Sequence, residues 1–248
     1  MNKNSNSAEP QIDAWVFDLD NTLYPASCKL FTQIDDRMRE FIADLLGLEQ
    51  DEAYKVQKKF FREYGTTLRG LMDVHGLPPE EFLNYVHEID LSPVDANPAL
   101  NRALDALPGR KIIFTNADIG HADRVMERLG IGHHFEAVFD IVAADYVPKP
   151  NPDIYQVLLD RYELDPKKSV MVEDIARNLE PAADLGMTTV WIKSDSHFGN
   201  WGADGDYIHH ITEDLVDWLE SWANGKQIER VVGVDIILPS PHLLQPEF

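Results

Sequence analysis

Positive charge is scarce in this sequence: 22 lysines and arginines face 43 acidic residues, a net charge of −21 over 248 residues. Such a surface repels polyanions, which excludes nucleic-acid polymers and anionic membranes as expected partners. An anionic substrate then needs a local positive device, either a metal ion or a well-placed lysine. Cysteine is rarer still. Cys28 stands alone, so no intrachain disulfide can form and a reducing compartment is expected. No apolar run approaches the ~18 residues of a membrane span. The opening MNKNSNSAEPQ is polar and has no apolar signal core. The expectation is a cytoplasmic protein. Internal repeats and low-complexity segments are also missing. What is present, 44% hydrophobic and 26% charged residues, suits one large domain or a core with a smaller insert.

Strand-like runs alternate with helical ones through most of the chain. Trp15, Val16 and Phe17 read as a first buried strand. RKIIFTN (110–116) precedes DIGHADRVMERLG, in which Ile119, Ala122, Val125, Met126 and Leu129 recur at helical spacing up to Gly130. KSVMVED (168–174) precedes IARNLEPAADLG, MTTVWIK (187–193) follows at once, and AVFDIVAA is a shorter apolar piece between them. This alternation predicts an α/β fold: a doubly wound parallel sheet covered on both faces, with right-handed crossovers. Residues 27–91 break the rhythm with four amphipathic helical patterns, punctuated by Gly47, Gly65, Gly76 and Pro78-Pro79. They predict an inserted helical subdomain, with a core at 12–26 and 92–225 and tails at 1–11 and 226–248. A further strand is expected at 231–238.

The acidic residues are placed where buried strands end. Asp18 and Asp20 follow the first strand, Thr115 and Asn116 the second, and Glu173 and Asp174 a later one. Lys149 lies between prolines, just before a helix that Asn151 can cap and Pro152 can open. Each piece alone has a plain reading as a turn, a cap or a solvated loop. In an open parallel sheet, however, all of them converge on the carboxyl edge, where ligands bind. Three carboxylates and one lysine there suit Mg²⁺ and phosphoryl transfer. One aspartate would attack phosphorus and the other would move the proton.

The set FDLDNT, IFTNA, KPNPDIY and VEDIARNL resembles, in order and separation, the four motifs of the haloacid dehalogenase superfamily. The resemblance implies a Rossmann-like core with a helical cap inserted after the first strand. It implies Asp18 as nucleophile, Asp20 as acid/base, and Thr115, Asn116 and Lys149 as phosphate ligands. Mg²⁺ would be held by Asp18, the main-chain carbonyl of Asp20 and Asp174, with Glu173 supporting through the metal's water. Asp20 and Asp174 argue against dehalogenation, because dehalogenases use the nucleophile without the second aspartate and without Mg²⁺. Phosphatases and phosphomutases share the full set.

The cap stretch KKFFREYGTTLRGLM is similar to that of the yeast-type pyrimidine 5′-nucleotidases, which implies UMP or CMP as the small-molecule phosphomonoester substrate. A sugar phosphate, phosphoglycolate or a flavin nucleotide is the alternative. Phe61, Tyr64 and Arg69 are the cap residues expected at the substrate. Phe60, Tyr64 and Leu68 form a stripe that reads first as helix packing. His133-His134 and His209-His210 read as surface pairs, and Trp15 as core. A monomer or homodimer is expected.

Overall fold

The computed structural model describes residues 12–194 and 198–225. The expected strand at 231–238 and both tails lie outside them. The elements run β1 (Ala14–Phe17), α1 (Leu30–Leu46), α2 (Gln50–Tyr64), α3 (Thr67–His75), α4 (Pro79–Val86) and α5 (Pro98–Ala106). They continue with β2 (Arg110–Phe114), α6 (Ile119–Leu129), β3 (Ala137–Phe139), α7 (Pro152–Tyr162) and β4 (Ser169–Glu173). α8 (Glu180–Asp184), β5 (Thr188–Ile192), β6 (His210–Thr212) and α9 (Leu215–Ala223) complete the described chain. The six strands form one sheet in the order β3-β2-β1-β4-β5-β6, every pair parallel. The chain winds outward from β1 in one direction and then, from β4, in the other. β1 is therefore the switch point, with β2 and β4 as its neighbours.

Alternate residues of the strands feed two cores. Trp15, Phe17, Ile113, Val170 and Val172 pack with residues of α5, α6 and α9 on one face. Val16, Ile112, Phe114, Met171 and Trp191 pack with residues of α7 and α8 on the other. Strands buried on both sides read as continuous apolar runs, which is why AWVF, RKIIF and SVMVE are legible. Trp15 is fully buried and its indole N–H donates to the Pro108 carbonyl at 2.9 Å. Each such large side chain contributes ~1.5–3 kcal/mol. Helices α1 to α4 bury a third cluster of their own, centred on Ile42, Phe60, Leu71 and Phe82.

Three expectations need correction. The helical stretch after Glu173 is not one helix: a 3-10 turn (Ala176–Leu179) comes first, and Pro181 opens only the short α8. Ile119 is 52% exposed, because at the first residue of α6 it precedes the turn that packs on the sheet. His210 is buried rather than superficial, since it lies in β6 at the edge of the sheet and faces Trp218 and Trp222. Its neighbour His209 is half-buried and accepts the Thr189 amide at Nδ1. β6 escaped notice because three residues, two of them polar, carry no periodicity.

Candidate active site

Backbone geometry delivers the polar residues to one place. β1 ends at Phe17, so Asp18 and Asp20 leave the sheet at its switch point, and Asn21 takes a left-handed conformation at φ 61°. Asp18, Asp20, Thr115, Asn116, Lys149, Glu173 and Asp174 all line one cavity at the carboxyl edge of β1, β2 and β4. The opposite wall of the cavity comes from α1, α2 and α4, with Ile34, Asp35, Lys58, Phe61 and Leu83.

Lys149 is the centre of the charge network. Its ammonium donates to Asp18 Oδ1 at 2.7 Å, Glu173 Oε2 at 2.7 Å and the Phe114 carbonyl at 2.8 Å. All three protons are engaged. Burial pushes the lysine down, but the two carboxylates more than offset it and hold its pKa well above the ordinary value. Asn116 clasps the same loop, its Oδ1 accepting the Lys149 amide at 2.9 Å. Thr115 Oγ1 accepts the Ala117 amide at 3.0 Å. Thr22 donates to Asp18 Oδ2 at 2.9 Å, so both Asp18 oxygens are fixed.

One lysine does not neutralise the site. Oxygens of Asp18, Glu173 and Asp174 lie within 4.8 Å of one another, and all three residues are buried. Burial and the charge of Glu173 lift Asp18 to about 7 despite Lys149. Burial, Glu173 and Asp18 push Asp174 well above the usual carboxylate range. Crowded hard oxygen donors of this kind fit a divalent cation such as Mg²⁺.

Asp20 stands apart from that cluster. Its Oδ1 accepts from the Tyr24 hydroxyl at 2.6 Å and from His121 Nε2 at 2.8 Å. Burial raises its pKa, but His121 and Tyr24 outweigh burial and bring it below the ordinary value. Burial likewise lowers His121, and the charge of Asp20 reverses this. The His121 ring stacks on His87, with centroids 4.5 Å apart, and His87 Nδ1 bonds Asp118.

A family model of haloacid dehalogenase-like hydrolases matches residues 12–186. The chain belongs to that family. Among curated relatives it is 26% identical over 201 residues to phosphate metabolism protein 8 of Saccharomyces cerevisiae, covering 72% of this chain and 61% of the relative. It is 29% identical over 126 residues to a fructose-1-phosphate phosphatase of Escherichia coli, covering 49% and 64%. The chain thus spans less than two thirds of the length of either relative. The structure of a HAD phosphatase from Thermococcus onnurineus superposes with a TM-score of 0.58 at 19% identity, covering 89% of this chain and all of that one. That likeness concerns the fold.

The haloacid dehalogenase motif residues stand together, but the cap residues divide. Phe61 lines the cavity, where it stacks on Trp201 and meets Phe198 edge-on. Tyr64 and Arg69 do not. They border a separate depression beside Pro148 and Pro150. Tyr64, the last residue of α2, turns its ring onto Phe60, and Arg69 pairs with Asp73 at 2.9 Å. Phe60 is buried, as the packing reading has it, while Leu68 is buried and also borders the cavity. His121, His87, Tyr24, Asp35 and Lys58 were missed. His121 sits inside the helical run of α6, and only its place three residues after a capping aspartate set it apart.

Proposed function

We propose that this chain is a Mg²⁺-dependent phosphomonoester hydrolase that works through an aspartyl phosphate on Asp18. The observation that carries the reading is the convergence of Asp18, Asp20, Lys149, Glu173 and Asp174 under one cavity at the switch point of the sheet. Asp18, Asp174 and the Asp20 main-chain carbonyl would hold the cation, which screens the carboxylates from an incoming phosphate. Lys149, bridging Asp18 and Glu173, orients the nucleophile and sets a positive charge beside the incoming phosphoryl group. Thr115 and Asn116 shape the phosphate pocket at the end of β2. In the first step Asp18 Oδ bonds phosphorus while Asp20 protonates the departing alcohol. In the second, Asp20 takes a proton from water as that water attacks phosphorus and frees Asp18.

Residues 27–91 act as the cap, closing over the leaving group and excluding water. The similarity of the cap stretch to yeast-type pyrimidine 5′-nucleotidases favours a pyrimidine nucleoside 5′-monophosphate. Phe61, with Phe198 and Trp201 beside it, supplies an aromatic wall for such a base. The similarity to a fructose-1-phosphate phosphatase supports the second reading, a sugar phosphate. Hydrolysis of a metabolite phosphate panel separates them. UMP and CMP should exceed purine nucleotides and hexose phosphates in kcat/KM, and chelation should abolish turnover until Mg²⁺ is restored. A hexose phosphate tenfold ahead of UMP would overturn the nucleotide assignment. Full activity in excess chelator would overturn the metal-dependent mechanism.

A further inference from the structure

His121 is fully buried in the first turn of α6, and the mechanism above gives it no role. Its Nε2 nonetheless lies 2.8 Å from Asp20 Oδ1. A carboxylate can only accept, so Nε2 is the donor in this bond, and Nδ1 is the other buried polar atom of the ring. Among the described residues that Nδ1 has no hydrogen-bond partner. A buried ring nitrogen left without a partner is costly, and an apolar side chain here would avoid that cost. Keeping a histidine at this position therefore calls for a compensating use, and the bond to Asp20 is the one present.

The histidine is also held on its other sides. Asp118 caps α6 by accepting the His121 amide at 2.9 Å, and its second oxygen bonds His87 Nδ1. His87, at the end of α4, lays its ring on His121 at an interplanar angle of 22°. Asp118 thus fixes both the backbone of His121 and the ring stacked against it. Tyr24 reinforces the effect by donating to the same Asp20 oxygen. With two donors on Oδ1, Oδ2 remains the oxygen free to carry the proton.

We propose that His121, braced by His87 and Asp118, is the positioning residue that locks Asp20 so that Oδ2 faces the leaving group. The inference rests on the reading of Asp20 as acid/base. In the first step the Oδ2 proton passes to the leaving oxygen as the bond from that oxygen to phosphorus breaks and the bond from Asp18 forms. An Asp20 carboxylate held by Tyr24 alone would lose that alignment, and misplacement by about 1 Å can cost roughly 10²-fold.

The test compares two leaving groups in two variants. His121→Leu removes the donor, whereas His121→Gln keeps an N–H near the Nε2 position. kcat/KM reports the step that expels the leaving group. For an alkyl phosphate that the wild type hydrolyses, UMP or glycerol 2-phosphate, His121→Leu should lower kcat/KM about 10- to 100-fold. For p-nitrophenyl phosphate, whose leaving group needs little protonation, the change should stay within about threefold. His121→Gln should recover most of the alkyl activity. Equal losses on both substrates, no loss on either, or a Gln variant indistinguishable from Leu would overturn the proposal. Failure of the acid/base reading looks different: Asp20→Asn would keep the wild-type ratio of kcat/KM between the two substrates.

Discussion

Asp118 binds the His121 amide through one oxygen and the His87 ring through the other, so a single carboxylate ties α6 to the end of α4. Burial pushes its pKa up, but the bond from His87 outweighs burial, and the carboxyl falls from 3.8 to about 2. A carboxyl depressed on folding contributes stability that is fully present above its unfolded value and is lost as pH falls through the folded one. Wild type and Asp118→Asn should therefore differ in urea midpoint above about pH 4. The gap should begin to close below it, toward about pH 2. A gap that does not shrink between about pH 4 and about pH 2 would show that the carboxylate is not stabilising. The sequence made the motif residues legible because their types and spacing are fixed by the chemistry they serve. Asp118 and His121 were opaque because their meaning is a contact between distant segments: the helical spacing of α6 is the same whether His121 meets a lipid-like core or Asp20.

Helices α2 and α3 pack closely enough to make one glycine necessary. A Cβ on Gly70 would stand 2.4 Å from Phe60 Cγ and 2.5 Å from its Cβ, so the ring root itself would have to move. Gly70→Ala should cost ~1–3 kcal/mol through overpacking, seen as a lower melting temperature. Adding Phe60→Ala should make the Gly70 substitution nearly neutral relative to Phe60→Ala alone. An unaltered cost in that background would refute the contact. The four amphipathic patterns of residues 30–86 were readable from their apolar stripes and terminal glycines, because helix formation is local. Which face meets the substrate was not. The same stripe that buries Phe60 leaves Phe61 on the cavity, while Tyr64 and Arg69, one and three residues from the α2–α3 turn at Gly65 and Thr66, face away from it. Helical periodicity resolves a buried side from an exposed one, but not a solvent-facing side from a cavity-facing one.

For the whole molecule, the doubly wound sheet followed from alternating strands and helices, because parallel strands need crossovers and leave long apolar runs. β6 did not follow, being short and polar at the edge. The sheet order places β1 between β2 and β4, and this alone brings residues 18, 115, 149 and 173 to one edge of an otherwise strongly acidic protein. Lys149 is the local positive device that such a surface requires, and it is buried against the carboxylates that would meet phosphate. The claim on which everything else depends is that Asp18 becomes phosphorylated. Asp20→Asn keeps the nucleophile and the main-chain carbonyl but loses proton transfer, worth ~10²–10⁴-fold in each step it serves. With p-nitrophenyl phosphate the first step survives and the second stalls. Acid quenching of each variant with radiolabelled substrate and Mg²⁺ is the direct measurement. Asp20→Asn should carry acid-stable, alkali-labile phosphate approaching one per chain, and Asp18→Asn none. Label on the Asp18→Asn protein at the level of Asp20→Asn would contradict the account.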